Sequence, residues 1–328
     1  MRHLPLSRFR GALLGCAIGE SLGLYCTHLA DANPVRSRQM SLHLDPNLVL
    51  DQPLSFSHRL LLATDSLIQC GGLDLKDWGD RIHAAHLSEP FKLQESMAPI
   101  LAIPLALFFH EDSVKLRQKV NQVAELEPGK AAQKQGSLVL AAAIAQALNE
   151  TLHPWRYLPT VIARGEDAFN ASGFGQQLRQ VQTLLEQDAG LDAAIAQLCP
   201  SDSPAPREDP DTAVAIALYC CLSSLEDFRL SVIRAIRTGY QLPLTVALTA
   251  ALSGAHNSTA DIPVAWRIAL NRAAMSDSSL GVIHPIPAEA QILQHSDRLF
   301  AAWCGTYDPK SQVNAIAAIA APHMIRPR

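Results

Sequence analysis

The sequence is poor in charged and aromatic residues. Of its 328 residues, 18% are charged and 5% are aromatic, whereas 48% are hydrophobic, and the formal charge is −4. No cluster of lysine and arginine stands out, so nothing electrostatic favours binding to nucleic acid or to an anionic membrane. The core must be built mainly from alanine and leucine, which is typical of closely packed helices.

Long apolar runs and a secretory leader are also missing. The most apolar stretches, 138–148 and 242–255, are shorter than the roughly 20 residues that a membrane-spanning helix needs. The chain begins Met-Arg-His-Leu-Pro and enters an amphipathic segment without the apolar core of a signal peptide. We therefore expect a soluble, cytoplasmic protein with no membrane span.

The seven cysteines show no zinc or disulfide pattern. They are scattered, none belongs to a Cys-x-x-Cys pair, and they occupy positions 16, 26, 70, 199, 220, 221 and 304. Such an odd, scattered set is typical of reduced thiols buried as small apolar side chains. Cys220 and Cys221 have no basic neighbour that would favour a thiolate, so we interpret them as core residues.

Apolar residues recur at intervals of three and four along most of the chain, and period-two runs are almost absent. This pattern predicts an all-α fold in a single domain over 1–328. Prolines and polar residues predict a surface loop at 199–210. The predicted helices are 7–29, 55–70, 74–87, 95–110, 112–126, 130–150, 153–165, 172–187, 190–198, 211–223, 225–238, 244–256, 263–274, 286–303 and 309–320.

Glycines lie four residues apart in the first predicted helix. Its sequence from position 8 to position 23 is Arg-Phe-Arg-Gly-Ala-Leu-Leu-Gly-Cys-Ala-Ile-Gly-Glu-Ser-Leu-Gly. Inside a helix each glycine costs about 1 kcal/mol relative to alanine, so a row of them needs a compensating contact. We interpret the row as a stripe for close helix packing; the alternative is backbone access to a binding site.

This segment resembles the N-terminal signature of the ADP-ribosylglycohydrolase family, R-x-x-G-A-L-L-G-x-A-x-G-D-A-L-G, which is shared by dinitrogenase reductase-activating glycohydrolases. Stretches 55–68, 100–107 and 235–266 are similar to the family's other signatures, in the same order. The resemblance covers about 7 to 275. It implies the family's compact orthogonal multi-helix bundle and, in active members, hydrolysis of a glycosidic bond of ADP-ribose.

The departures from the family fall where its chemistry lies. Active members hold two magnesium ions with carboxylates and threonine hydroxyls, the hard oxygen ligands that magnesium needs. In this chain Thr27 replaces one acidic residue, and Glu20 alone keeps a carboxylate. The positions of the family's D-D-T are occupied by Ser55, Phe56 and Ser57. Three positions of its G-G-D-T-D-T are occupied by Gln241, Pro243 and Leu244. We therefore expect a vestigial cleft with no catalytic residue, no metal ligand set and no cofactor.

Two carboxylates, Asp209 and Asp211, flank a proline just before an apolar helix. An aspartate and a proline at a helix start satisfy its free N–H groups and its dipole, so we interpret the pair as a cap. The alternatives are an acid pair that does chemistry and a clamp for a metal ion.

Three functions follow from these observations. We favour a non-catalytic ADP-ribosylglycohydrolase-like protein that acts in binding, regulation or scaffolding, and an unknown protein partner fits this role. The second is a divergent glycohydrolase that cleaves an N- or O-glycosidic ADP-ribose or nucleoside bond without magnesium, with Glu20 and Asp209 or Asp211 as its carboxylates. The third is an assembly subunit. Leu244 in the former cleft would suit a lipophilic ligand, a protein segment or simple filling.

Overall fold

The computed structural model of the protein describes residues 3–32, 55–88, 98–126, 134–164, 172–199, 209–277 and 287–305. These residues form α-helices and one 3₁₀ turn, and they contain no strand, which confirms the all-α prediction. The helices are α1 (Pro5–Ala32), α2 (Ser55–Cys70), α3 (Leu75–Ser88), α4 (Ala98–Phe109), α5 (Ser113–Ala124), α6 (Lys134–Leu148), α7 (Pro154–Arg164), α8 (Gly173–Glu186), α9 (Leu191–Leu198), α10 (Pro210–Leu222), α11 (Phe228–Thr238), α12 (Leu242–Asn257), α13 (Val264–Asp277) and α14 (Glu289–Trp303).

The predicted helices agree with the observed ones to within a few residues. Helix α11, predicted from 225, begins at Phe228 because Asp227 caps it by accepting the N–H of Leu230. The predicted helix 309–320 lies outside the described residues, and so does most of the predicted loop 199–210. None of the described helices is both long and apolar enough to cross a membrane.

The glycines of α1 pack directly against the backbone of α12. A Cβ atom added to Gly11, Gly15, Gly19 or Gly23 would lie 2.2, 2.3, 2.5 or 2.5 Å from a carbonyl oxygen. Those oxygens belong to residues 254, 250, 246 and 242 in turn, so the two helices run antiparallel with a four-residue step on each. The predicted packing stripe is confirmed, since the contact leaves no room for a side chain.

Two of the described helices are buried on every side. All twelve residues of α4 and all thirteen of α10 are buried, whereas α5, α8 and α11 each bury one face. The packing of α1 on α12 sets Gly23 against Leu242, the first residue of α12. Glu20, one turn earlier in α1, is thereby held close to the start of α12.

Candidate functional site

Glu20 is the carboxylate retained at the expected metal centre, and it lies at the start of α2. Its side chain is 1% exposed. One carboxylate oxygen, Oε1, accepts the backbone N–H of Phe56 at 2.8 Å. The other, Oε2, accepts the N–H of Ser57 at 2.8 Å and its hydroxyl at 2.5 Å. Because the first N–H groups of a helix lack partners and carry partial positive charge, Glu20 acts as a cap for α2 supplied by a neighbouring helix.

Two of the three residues in place of the family's D-D-T, Phe56 and Ser57, turn inward. Ser55 is the first residue of α2, and the side chains of Phe56 and Ser57 are both buried. Phe56 is part of the hydrophobic core. Phe56 and Ser57 therefore face the protein interior, and the hydroxyl of Ser57 is engaged by Glu20.

The residues at the start of α12 are also partly or wholly buried. Gln241 precedes the helix in the left-handed conformation, with φ 36° and ψ 57°, and Pro243 is half-buried. Leu244 is 0% exposed and belongs to the core. Leu244 could contact a lipophilic ligand, contact a protein segment or simply fill space in the former cleft. Its complete burial agrees with the third interpretation.

Thr27 lies apart from this cluster. Its side chain is exposed, and its hydroxyl donates to the carbonyl oxygen of Gly23 at 2.9 Å within α1. Among the residues predicted for the vestigial cleft, Glu20, Phe56 and Ser57 are therefore joined by hydrogen bonds. Thr27 forms its hydrogen bond within α1 instead.

The two carboxylates at the start of α10 have different roles, since Asp209 precedes the helix and Asp211 lies in its first turn. Asp209 accepts the N–H groups of Asp211 and Thr212 at 3.2 and 3.3 Å, and the hydroxyl of Thr212 at 2.8 Å, so its predicted role as a cap is confirmed. Asp211 is 5% exposed and accepts the N–H of Gly136 at 3.1 Å. Burial, with a contribution from the charge of Asp209, raises the pKa of Asp211 to about 7.

A polar cluster surrounds this helix start. Tyr240 Oη lies 3.2 Å from the backbone nitrogen of Asp209, which donates to it, and 3.3 Å from the carbonyl oxygen of Asp209. Gln177 Nε2 donates to the hydroxyl of Thr212 at 2.7 Å. Sequence reasoning missed Tyr240 and Gly136. The sequence held a signal for each: Tyr240 stands at a position of the family's G-G-D-T-D-T, and Gly136 lies at the start of an apolar helix.

The residues at the expected metal centre do not fit a pair of magnesium ions. Each magnesium ion takes about six oxygen ligands, usually one or two carboxylates together with several waters. The carboxylate of Glu20 is engaged by α2, and the side chains of Phe56, Pro243 and Leu244 contain no oxygen. Within the described parts of the chain, no three His, Cys, Asp or Glu side chains lie close enough together to hold a metal.

The helices and the glycine-packed pair of α1 and α12 place this chain among the all-α proteins. Comparisons of the chain with known proteins identify its family. The model of the ADP-ribosylglycohydrolase family matches residues 1–308. A solved structure, an ADP-ribosylglycohydrolase-related protein complex, is similar with a TM-score of 0.59 and 18% identity, covering 91% of this chain and 99% of that chain. No curated protein matches the sequence. The chain belongs to the ADP-ribosylglycohydrolase family, as its sequence motifs predicted.

Proposed function

We propose that this chain is a non-catalytic member of the family that acts in binding, regulation or scaffolding. The observation that carries the proposal is the use of Glu20. The carboxylate that would serve a metal or a substrate instead accepts two backbone N–H groups and a hydroxyl at the start of α2.

Recruiting Glu20 to another role would compete with this cap. Loss of a capping side chain typically costs about 0.5–2 kcal/mol, and buried N–H groups without an acceptor add to that cost. The filled position of Leu244 supports the same proposal, because an apolar core side chain stands where active members place an oxygen ligand.

Isothermal titration calorimetry with ADP-ribose, with and without magnesium, tests the proposal. A family member that carries both acidic motifs is the positive control and should bind in a magnesium-dependent manner. For this chain we expect no magnesium-dependent binding in the micromolar range. Micromolar binding that disappears with EDTA would contradict the proposal.

A metal-independent glycohydrolase is the second candidate, and the raised pKa of Asp211 is the observation that favours it. A carboxyl group with a pKa of about 7 beside a second carboxylate has the properties of a general acid. However, Asp209 and Asp211 both accept hydrogen bonds from backbone N–H groups. This candidate predicts turnover of ADP-ribosylated protein or a nucleoside in EDTA, abolished by Glu20→Gln. Absence of turnover by the unmodified chain would exclude it.

A further inference from the structure

The N-terminal ends of four helices are joined by hydrogen bonds around the start of α10. Asp211, in the first turn of α10, accepts the N–H of Gly136, the third residue of α6, at 3.1 Å. Gln177 of α8 donates to the hydroxyl of Thr212 at 2.7 Å. The residue that links α12 to this set is Tyr240, through Asp209. We call the set the four-helix junction, and its members are Gly136, Gln177, Asp209, Asp211, Thr212 and Tyr240.

Asp211 caps α6 from a neighbouring helix, as Glu20 caps α2. The first N–H groups of a helix have no partner within it, and the N–H of Gly136 is one of them. A Cβ atom added to Gly136 would collide with Oδ1 of Asp211, so the carboxyl group lies directly against the backbone of α6. The contact between α6 and α10 therefore depends at this point on a group that can lose a proton.

The surroundings of Asp211 disfavour a negative charge. Its side chain is 5% exposed, and Asp209 lies two residues earlier in the chain. Among the described residues, the charged group that acts on Asp211 is this second carboxylate, and no cation compensates it. Burial and the charge of Asp209 together raise the pKa of Asp211 to about 7.

The other elements packed on α10 bring no charge to Asp211 within the described residues. Gln177 of α8 is neutral, and burial raises the pKa of Tyr240 to about 12, so its phenol keeps its proton. Arg234 of α11 donates to Tyr219, two turns further along α10. Burial raises the pKa of Cys199, at the end of α9, to about 11, and α12 has no charged or titratable residue before its last turn. The protonation of Asp211 is therefore governed by burial and by Asp209.

The junction also holds the turn that replaces the family's metal-binding loop. The hydroxyl of Tyr240 accepts the N–H of Asp209 at 3.2 Å and lies 3.3 Å from its carbonyl oxygen, to which it donates. Gly239 and Gln241, on either side of Tyr240, both have positive φ, at 69° and 36°. Such a conformation is unfavourable for a residue with a side chain and persists only where the surroundings hold it. The bond from Tyr240 to Asp209 is one of the contacts that fix this turn.

We propose that the four-helix junction is a pH-controlled latch on the segment 239–241. With Asp211 protonated, the latch is closed, and the starts of α6 and α12 are both held on the start of α10. When Asp211 releases its proton to solvent, a charge is buried beside Asp209, and local opening of the start of α10 brings that charge into water. Opening frees the N–H of Gly136 and removes the anchor of Tyr240. This inference goes beyond the proposed function and does not depend on it.

The latch loosens as the pH rises. In the open junction Asp211 is in water, with its ordinary pKa of 3.8, whereas in the closed junction the pKa is about 7. Between these values the opening constant rises about tenfold per pH unit, and above pH 7 it levels off. From pH 5 to pH 7 the rise is about 50-fold, because the closed carboxyl is itself half ionised at pH 7.

Hydrogen exchange followed by NMR at pH 5, 6 and 7 tests the proposal on the full chain. Each rate is divided by the intrinsic rate of that amide at the same pH, which gives the opening constant. We expect an increase of about 50-fold from pH 5 to pH 7 for Gly136, and a parallel increase for Thr245, whose N–H is bonded to the carbonyl oxygen of Gln241. Lys115, whose N–H is bonded to the cap Asp112 at the start of α5, is the internal control and should be unchanged.

Three results would overturn the proposal. An opening constant for Gly136 that is the same at all three pH values would show that Asp211 does not control the junction. An increase at Gly136 without one at Thr245 would show that the segment 239–241 is not held by the latch. In low concentrations of urea, local opening stays constant whereas global unfolding accelerates. If exchange of Gly136 followed urea as steeply as that of the buried amides of α4, the pH effect would belong to global unfolding.

Two variants separate the parts of the latch. Asp211→Asn keeps an acceptor for Gly136 but cannot ionise, so its opening constants should not change between pH 5 and pH 7; a persistent pH dependence would assign the effect to another group and overturn the proposal. Tyr240→Phe removes the hydroxyl that bonds to Asp209. In this variant Gly136 should keep its 50-fold increase, while Thr245 should open more readily at pH 5 and lose its pH dependence. An unchanged pH response of Thr245 would overturn the role of Tyr240.

Discussion

Replacing Asp211 by asparagine tests whether the contact between α6 and α10 is linked to protons. The carboxylate is buried, accepts the N–H of Gly136 and lies beside Asp209. Asparagine has nearly the same shape and keeps a carbonyl oxygen for Gly136, but it carries no charge. The variant therefore removes the ionisation and leaves the hydrogen bond in place.

The expected magnitude follows from the shift of the pKa. In the folded chain the pKa of Asp211 is about 7, above its ordinary value of 3.8. Between these values the unfolded chain is ionised while the folded chain holds its proton, so the free energy of unfolding falls as the pH rises. From pH 5 to pH 7 this loss is about 2 kcal/mol at 1.36 kcal/mol per unit, because the folded carboxyl itself begins to ionise near pH 7, and the loss levels off above pH 7.

Urea unfolding at pH 5 and pH 8 measures the effect. Asp211→Asn should gain about 2–3 kcal/mol relative to the unmodified chain between these two conditions, because it lacks the ionisation. Asp192→Asn is the matched control, since Asp192 also lies in the first turn of a helix but is exposed. If Asp211→Asn shows the same difference from the unmodified chain at both pH values, the reasoning is wrong.

Three further predictions concern packing, the cap and an ion pair. Gly15→Ala should destabilise the fold by about 1–3 kcal/mol or more through overpacking, whereas Gly173→Ala, with nothing within 4 Å of its Cβ, should not; equal melting temperatures would contradict this. Glu20→Gln should cost about 1–3 kcal/mol in urea unfolding, because an amide nitrogen cannot accept an N–H of α2; unchanged stability would argue against the cap. The pKa of His295 is raised: burial, the largest influence, lowers it, but the hydrogen bond and charge of Asp65 prevail. The resulting stabilisation is complete below pH 6.5 and is lost as the pH rises through the folded pKa; Asp65→Asn should lower the NMR titration midpoint of His295, and an unchanged midpoint would refute this.

The helices could be predicted from the sequence because local periodicity determines them. The apolar spacing and the Asp-Pro pair at 209–210 set the position of α10, and the structure agrees within a residue. Glu20 could likewise be recognised as the retained carboxylate. Its role as a cap could not, because its partners lie 36 and 37 residues further along the chain.

The contact between Asp211 and Gly136 escaped prediction for the same reason. The two residues are 75 positions apart, and a pair of carboxylates before a helix is explained by capping alone. Burial of Asp211 depends on how α6 meets α10, which is a tertiary property. The cysteines show a related limit: Cys16, Cys26, Cys220 and Cys221 are buried as expected, but the other three reach solvent to some degree.

The contact of α1 with α12 bears on how a site of this kind can change over time. Its strictest steric demands fall on glycines, which meet carbonyl oxygens of the facing helix. These contacts involve backbone atoms and do not depend on the side chains at Ser57 or Leu244. Ligand positions can therefore be exchanged one at a time while the scaffold that holds them stays intact, so the architecture tolerates the loss of its chemistry more readily than the loss of a glycine.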